Sequence, residues 1–569
     1  MKPIIAFDED KLPANRKFNG LVLLIVVLSV IVRGFFAWTL ELGNDEVYYW
    51  TYALYPALSH FDHPPMVGFV IQAFTFDLYF DSEFFIRLGA VILGGANTWL
   101  IYLIGKVVKD KLTGLFAAML YNASVYCFVI AGIFILPDTP QLFFWLLSLY
   151  MIIVALPDKE TTKASRNIIF YVGIPLGLAM LSKYTSVFLW MGVGLYIIFF
   201  NRKWLKTAEL YISVLISLVI FSPVILWNIE NNFISFSFQS ARVGIFGSGL
   251  RPDYFATEFF GQVFYNNPFN FVLIIMALVA LKTKKFSLPD DYTRILLLTS
   301  LPLIFVFLFF ALFNRTLPHW TGPAYLSLII IAAAWLSEKA MKPEKAILFP
   351  FYIRISMGFL LVGLTIGLFQ IKRGIFQTPK TDNPKELGKN DLTLDMYGWR
   401  QFAYKFHEFA DHDFFSKRMA VTAPIISHRW FPAAHLDYYV ARPRGMDLLA
   451  IGDLERIHKY AWINRERHEL LLDSDAYYIT SSRDFQDPAK LFGKYFVFIE
   501  KPEIIKIFKR DQHVENFFVY RLRSCLEVPP DVLEQFGIMK PYIDNFIEEP
   551  EESDTSAPFK DDSLRRLIY

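Results

Sequence analysis

Long apolar stretches alternate with short polar loops along the chain as far as residue 371. A helix needs about 20 mostly apolar residues to cross the roughly 30 Å of hydrocarbon in a bilayer. The stretches that approach this length are residues 19–40, 84–106, 112–134, 139–157, 166–182, 184–200, 208–228, 258–281, 293–313, 319–337 and 346–371. The pattern predicts a polytopic α-helical membrane protein with about 11 transmembrane helices.

Basic residues mark alternate loops between these stretches. The leader 1–18 is basic, later basic loops recur at every second connection, and the segment 41–83 contains no lysine or arginine. Lysine and arginine are enriched in cytoplasmic loops of membrane proteins. The N terminus is therefore predicted to be cytoplasmic, and an odd number of helices places the chain after about residue 372 outside. Joining 166–182 and 184–200 into one helix would break this alternation.

The chain after residue 371 has a different pattern. A linker at 372–389 precedes a segment, 396–410, in which apolar residues recur at helical spacing. Short runs of β-branched and aromatic residues bounded by polar turns predict strands, and they read AVTAPIIS, DAYYIT, YFVFIE and FFVYRL. These elements predict a small α/β domain at 390–530. The remainder, 531–569, is acidic and poor in apolar residues, which predicts a partly disordered tail.

Composition and motifs exclude several classes of function. Of the 569 residues, 54% are hydrophobic and 19% are charged, and the net charge is only +2, so no nucleic acid partner is expected. The two cysteines, Cys127 and Cys525, lie in a membrane stretch and in the tail, so no disulfide between them is expected. No GxGxxG or Walker-type loop is present, and nucleotide sugars and ATP therefore have no evident pocket.

Acidic residues converge on the predicted outer face. Asp45 and Glu46 follow the first stretch, Asp62 and His63 lie further along the same loop, and Asp138 begins the fourth stretch. These acids also have ordinary structural explanations. Asp45 and Glu46 could belong to a solvated loop, and a lone acid such as Asp138 is favoured at a helix N terminus by the helix dipole. Ionisable groups near bilayer depth are costly, however, and usually face a cavity or a partner. Their convergence predicts one pocket, with Asp45, Glu46 and Asp138 as catalytic residues and interfacial helices on either side of Asp62.

Basic residues gather on the same predicted face. Lys183 and Tyr184 lie between two stretches, Arg242 lies in the outer loop 229–254, and Arg315 and His319 lie in the motif NRTLPHW. Each one alone is explained by an interfacial side chain that reaches toward water. Together with Asp62 and His63 they are predicted to bind the substrate, because cations neutralise a phosphate at the membrane surface.

This combination of groups suits the transfer of a sugar from a lipid phosphate to a hydroxyl or amine. A carboxylate takes the proton of the weak nucleophile, and basic side chains stabilise the departing phosphate. No cofactor is expected to be required. Asp62, His63 and His319 offer an alternative in which a divalent metal binds, although three such ligands are few for a metal site.

Several motifs carry a resemblance to a known family. They occur in the order NDEVYYW, FDHPPMVGFVI, LPDTPQLFFWLLSLY, GLAMLSKYTSVFL, SPVILWNIENNFISFSFQ, LPHWTGPAY and DLTLDMYGWR. This ordered set resembles the bacterial family 39 glycosyltransferases, which are related to protein O-mannosyltransferases and to aminoarabinose transferases that modify lipid A. The resemblance implies a GT-C fold over residues 19–371, a location in the bacterial inner membrane, and inverting transfer from a polyprenyl-phosphate sugar.

The resemblance also implies roles for individual residues. Asp45 matches the leading acid of the family's DE pair, which is the favoured catalytic carboxylate, and Glu46 matches its partner. Asp138 matches a second acid that helps to place the acceptor in relatives. Asp62 and His63 stand where aminoarabinose transferases have Glu and Lys, and this departure disfavours aminoarabinose as the sugar.

The sequence therefore favours an enzyme that transfers a glycosyl group from a polyprenyl-phosphate sugar to lipid A, another glycan or a protein at the outer face. Besides the donor and the acceptor, the partners expected for this enzyme are membrane lipids. The main alternative is a transporter or flippase of lipid-linked saccharides, but transporters more often carry ionisable groups near mid-membrane in broken helices. A receptor or scaffold would leave the acids of 41–83 unexplained.

Overall fold

The computed structural model describes residues 15–244, 249–341, 349–376 and 381–540. These residues form a helical membrane domain followed by a smaller α/β domain. Three segments considered above lie outside the described residues: most of the basic leader, the part of the last basic loop at 342–348, and the acidic tail from 541 onward.

The membrane domain contains sixteen described α-helices. They are α1 (Asn15–Thr39), α2 (Asn44–Leu54), α3 (Met66–Thr75), α4 (Glu83–Val108), α5 (Lys111–Ala123), α6 (Asp138–Ala155), α7 (Lys163–Ser182), α8 (Val187–Phe200), α9 (Ala208–Glu230), α10 (Ile234–Val243), α11 (Pro252–Tyr265), α12 (Pro268–Lys282), α13 (Asp290–Leu298), α14 (Leu301–Phe310), α15 (Gly322–Ala340) and α16 (Phe351–Arg373). Helices α2 and α3 coincide with the interfacial helices predicted in the first loop.

Eight candidate spans in the described part of the chain are long and apolar enough to cross a membrane, or nine if α11 and α12 count as one bent span. The predicted stretch 112–134 is interrupted, because α5 ends at Ala123 and a π-helical turn follows at Tyr126–Ile130. Stretch 258–281 bends by 96° between α11 and α12. The protein is thus a polytopic integral membrane protein, while the count of eleven spans stays a prediction.

Small residues allow the membrane helices to approach closely. A Cβ atom on Gly105 of α4 would lie 2.8 Å from the Cα atom of Gly114 in α5. A Cβ atom on Gly173 of α7 would lie only 2.1 Å from the carbonyl oxygen of Ser213 in α9. Membrane helices gain little from hydrophobic burial against each other, so this close backbone packing stabilises the bundle.

The C-terminal domain is a mixed sheet with helices around it. Its elements are α17 (Trp399–Phe415), β1 (Ile425–Ser427), α18 (Trp430–Leu436), β2 (Leu448–Ala450), α19 (Leu454–Ile457), α20 (Tyr460–Ile463), β3 (Ala476–Ser481), α21 (Pro488–Phe492), β4 (Phe496–Ile499), β5 (Glu503–Lys509) and β6 (Gln512–Cys525). The strand order is β2-β1-β3-β6-β4, and β5 also pairs with β6. Strands β1, β2 and β3 are parallel, whereas β6 runs antiparallel to β3, β4 and β5.

The four predicted strands and the amphipathic helix are present, and β2 and β5 were not predicted. In α17 the predicted apolar positions Trp399, Phe402 and Phe406 are buried. Strand β2 has only three residues, which is too short to produce a readable alternation.

Polar contacts hold the C-terminal domain against the first loop of the membrane domain. The backbone N–H of Trp399 donates to Glu41 at 2.9 Å, and Arg400 forms an ion pair with Glu83 at 2.5 Å. The Nζ of Lys459 donates to the carbonyl oxygens of Thr51 and Tyr55 at 2.8 and 2.6 Å. Lys459 therefore joins the C-terminal domain to the C-terminal end of α2.

Candidate functional site

A cavity of about 120 Å³ lies where α2, the N-terminal end of α6, α10 and the C-terminal domain meet. The residues that the sequence predicted and that line this cavity are Asp45, Asp62, His63, Asp138, Lys183, Arg242 and His319. Three predicted residues, Glu46, Tyr184 and Arg315, are not among its lining residues. The predicted convergence of Asp45 with Asp138 is therefore present in the fold.

Asp45 lies in the first turn of α2, which begins after Gly43 in an extended conformation. Its carboxylate opens into the cavity and has no hydrogen-bond partner within the described residues. Asp45 is exposed to the cavity, but the surrounding protein desolvates its carboxylate and raises its pKa to about 6, and the negative charges of Asp62 and Asp395 add to the shift. A carboxylate of this kind is a stronger base than an ordinary aspartate near neutral pH.

Glu46 points away from the cavity. Its two carboxylate oxygens accept from Nε and Nη2 of Arg87 at 2.6 and 2.5 Å, and also from the backbone N–H groups of Gly43 and Ile135 at 2.9 and 3.2 Å. Arg87 further donates to backbone carbonyl oxygens of residues 37, 40 and 41. The buried pair joins α2 to α4, and Glu46 does not reach the same space as Asp45.

Asp62 is held by two tyrosines of α2. The hydroxyls of Tyr48 and Tyr52 donate to its Oδ1 at 2.7 and 2.6 Å, and the amide of Gln239 donates to its backbone carbonyl. Burial lowers the pKa of the neighbouring His63 to about 4. The imidazole of His63 is therefore neutral near neutral pH and does not supply a positive charge to the cavity.

Asp138 and Lys183 form an ion pair in the cavity wall. Asp138 begins α6, Lys183 directly follows α7, and their side chains approach to 2.7 Å with both almost fully buried. The hydroxyl of Tyr126 donates to the other oxygen of Asp138 at 3.0 Å. This pairing brings the ends of two membrane helices together at the edge of the cavity.

Arg242 lies over two aromatic rings. Its guanidinium carbon is 5.4 Å from the centre of Phe238 and 5.0 Å from that of Trp320. Among the residues that the structure describes, Arg242 has no carboxylate within ion-pair distance. It is therefore the cation of the cavity that remains available to an anionic ligand.

The turn that carries His319 and Trp320 packs against α11. The hydroxyl of Thr316 donates to Glu258 in α11 at 2.7 Å, and a Cβ atom on Gly261 would lie 2.2 Å from Pro318. Arg315, on the same segment, is exposed and does not line the cavity. Tyr184 is likewise occupied outside the cavity, since its hydroxyl pairs with that of Ser235 at 3.1 Å.

Sequence reasoning missed the aromatic part of the cavity. These additional lining residues are Tyr48, Tyr49, Phe238, Trp320, Trp430 and His458. Tyr48 and Tyr49 lie one helical turn after Asp45, so helical spacing in α2 could have found them. Trp430 and His458 belong to the C-terminal domain, and no local signal connects them to residues so distant in the chain.

Over the described part of the chain, no three histidine, cysteine, aspartate or glutamate side chains come together as a potential metal site.

Comparisons with known proteins give matches both in sequence and in structure. A family model described as dolichyl-phosphate-mannose-protein mannosyltransferase matches residues 62–227. The lipid A galacturonosyltransferase RgtD of Rhizobium johnstonii is 24% identical over 320 residues, which is 54% of this chain and 64% of that protein. The match thus spans less than two thirds of this relative.

Two solved structures have a similar fold. A crystal structure of ArnT from Cupriavidus metallidurans in the apo state has a TM-score of 0.58 at 14% identity, and the likeness covers 88% of this chain and 98% of that one. The structure of ArnT bound to undecaprenyl phosphate has a TM-score of 0.57 at 13% identity, with the same coverage. Both membrane and C-terminal domains take part in this likeness, since it extends over most of the chain.

Proposed function

We propose that this chain, which resembles glycosyltransferases of the GT-C superfamily in sequence and fold, transfers a glycosyl group from a polyprenyl-phosphate sugar to an acceptor at the outer face of the membrane. One observation carries the proposal. Asp45 is a carboxylate without a described partner in a cavity that also holds the uncommitted cation Arg242. A base and a phosphate-binding cation facing one space are what this reaction requires.

Two findings support a lipid phosphate as the donor. ArnT, which has a similar fold, has a crystal structure in complex with undecaprenyl phosphate. The description of the matching family model names dolichyl phosphate mannose. The cavity lies at the ends of α6 and α7, so a carrier whose tail remains in the bilayer could present its phosphate there. Arg242 would bind that phosphate, and charge-assisted hydrogen bonds of this type are strong.

The proposed reaction is a single displacement with inversion. The oxygen of the acceptor hydroxyl attacks the anomeric carbon from the side opposite the phosphate. Asp45 accepts the proton of that hydroxyl as the attack proceeds. The new carbon–oxygen bond forms while the bond to the phosphate oxygen breaks, and the electron pair leaves with polyprenyl phosphate. Arg242 stabilises the charge that develops on this leaving group, and Lys183, held by Asp138, adds positive potential.

The acceptor is proposed from the relatives. Lipid A, another glycan and a protein are the three classes to consider, and the description of RgtD as a lipid A galacturonosyltransferase favours lipid A. From the charge of the loops we further propose that the reaction takes place at the outer face of a bacterial inner membrane and that the C-terminal domain lies on the same side.

The variant Asp45→Asn tests the proposal. Purified full-length protein is reconstituted with radiolabelled polyprenyl-phosphate sugar and lipid A, and the label in the acceptor is measured. We expect the loss of the base to reduce transfer about 10²- to 10⁴-fold without loss of folded protein. Asp253→Asn is the matched control, because Asp253 is an exposed acid whose pair with Arg251 lies away from the cavity.

Two outcomes contradict the proposal. Transfer at the wild-type rate by Asp45→Asn would remove Asp45 as the base. Movement of the labelled carrier across the membrane without any new glycosidic bond would identify a transporter or flippase instead.

A further inference from the structure

The sheet of the C-terminal domain contains a topological switch point. The chain passes from β1 to β2 on one side and then returns to β3 on the other side of β1, and all three strands are parallel. In open α/β sheets, ligands bind in the crevice beyond the carboxyl ends of the strands at such a point. The segments that follow β1 and β2 are therefore where this domain is expected to bind a ligand.

Those two segments supply the residues that the C-terminal domain contributes to the cavity. Trp430 begins α18, shortly after β1, and His458 follows α19, shortly after β2. Both line the cavity that contains Asp45. The domain thus turns its ligand-binding edge toward α2 instead of toward open solvent.

Trp430 and His458 form a continuous aromatic wall with Tyr48. The rings of Trp430 and His458 are nearly parallel, with centres 5.5 Å apart and an interplanar angle of 18°. The Tyr48 ring lies 4.9 Å from that of Trp430 and 6.0 Å from that of His458. Because Tyr48 also donates to Asp62, the wall adjoins a carboxylate that can accept hydrogen bonds.

The backbone at His458 is held in an unfavourable conformation. Its φ and ψ are 49° and −130°, a region that residues with a side chain rarely adopt. Such strain persists only where the surrounding structure imposes it and is found most often at functional sites. Burial lowers the pKa of His458, so the ring is neutral near neutral pH.

We propose that Trp430 and His458 form the wall that binds a pyranose ring of the substrate, an inference that rests on the proposed function. The apolar face of a sugar packs on aromatic rings, while its hydroxyl groups bind the polar atoms nearby, which here include Asp62. A pyranose can come from two sources: the transferred sugar of the donor and a sugar of a glycolipid acceptor.

Steady-state kinetics on the reconstituted full-length protein separate the two sources. Initial rates are measured against polyprenyl-phosphate sugar at saturating lipid A, and against lipid A at saturating donor. We expect Trp430→Ala to raise one KM about tenfold while kcat changes less than about threefold. The substrate whose KM rises is the one whose ring packs on the wall. Trp430→Phe, which keeps an aromatic face, should restore most of the affinity.

Trp462→Ala is the matched control for docking of the C-terminal domain. Trp462 belongs to the same domain and packs against Trp227 of α9, and its Nε1 donates to Asn231 at 2.9 Å. It does not line the cavity. We expect this variant to lower thermal stability but to leave both KM values unchanged.

Three outcomes overturn the inference. The first is unchanged KM values in Trp430→Ala, and the second is an equal KM change in Trp462→Ala. The third outcome applies if Trp430→Ala misfolds. The variant His458→Gly accepts this backbone conformation but lacks an aromatic face, and wild-type KM values in that variant would contradict the inference. If the wild-type protein transfers no sugar at all, the proposed function fails first, and saturation-transfer NMR with a methyl pyranoside still tests whether Trp430 contacts a sugar.

Discussion

Two carboxylates that are neighbours in α2 lie in two different regions of the molecule. Glu46 lies in the contact with α4, where Arg87 and two backbone N–H groups occupy its oxygens. Asp45 lies in the cavity, where no described group donates to it and where desolvation by the surrounding protein raises its pKa to about 6. Glu46 is buried, whereas Asp45 is exposed to the cavity, and only Asp45 keeps its lone pairs free for a substrate.

The difference shows that a structural carboxylate is buried with its hydrogen bonds satisfied, whereas a reactive one faces a cavity with its oxygens unpaired. A buried charge with all its partners present stabilises a contact, whereas one without partners raises the energy of the folded state and invites a ligand. Asp138 is intermediate, because it lines the cavity and is nevertheless paired with Lys183 and Tyr126.

Removing the partner of the buried carboxylate Glu46 should have the largest effect on the stability of the protein. Arg87→Met leaves Glu46 as a buried carboxylate without a counter-charge, and such a change costs about 3–5 kcal/mol. We expect a large fall in the thermal unfolding midpoint of the detergent-solubilised protein. Lys203→Met is the control, because its pair with Glu160 is exposed at the surface and contributes little. Wild-type stability of Arg87→Met would show that the pair does not hold α2 on α4.

The pH dependence of transfer should report the ionisation of Asp45 in the cavity. The pKa of Asp45 is raised in the folded protein from 3.8 to about 6, and only its ionised form accepts a proton. We expect kcat/KM to be level above about pH 6 and to fall tenfold per pH unit below it. An acid limb that appears only near pH 4, where an ordinary aspartate titrates, would contradict this assignment.

The same shift fixes the sign of a stability effect. A carboxyl whose folded pKa is raised binds its proton more tightly in the folded state than in the unfolded state, so stability decreases as pH rises from 3.8 to about 6. Above that range the ionised Asp45 is a cost to the fold. Asp45→Asn should therefore be at least as stable as the wild type at neutral pH, opposite to Arg87→Met.

The sequence was sufficient for the class of fold, but not for every helix. Apolar length alone predicts membrane helices, because uncompensated backbone groups cannot remain in hydrocarbon. It cannot show that the stretch after residue 258 bends between α11 and α12. The bend follows Asn266 and Asn267, and Asn267 has a φ of 69° and donates to carbonyl oxygens of residues 123 and 356. Those acceptors become neighbours only in the folded bundle.

The site was likewise predictable in part. Asp45, Asp62 and Asp138 could be grouped because loop charge places them on one face of the membrane. The different positions of Asp45 and Glu46 could not be read from the sequence, since adjacent residues on a helix point about 100° apart and Arg87 decides which one is paired. Trp430 and His458 enter the cavity only because the C-terminal domain packs on α2.

The smallest effect should come from the intermediate case, Asp138. Tyr126→Phe removes one hydroxyl donor to Asp138 and keeps the ring that packs against Gly322, so we expect a stability loss of about 1–2 kcal/mol. Asp138 retains Lys183 at 2.7 Å, and transfer should therefore fall by less than about tenfold. Tyr325→Phe is the matched control, because it removes a buried hydroxyl that donates to Gln262 away from the cavity. Thermal unfolding and transfer rate are measured for both variants. Similar stability losses with a rate change only in Tyr126→Phe would link the hydrogen bond from Tyr126 to the site. Equal transfer rates in the two variants would make Asp138 a structural residue like Glu46.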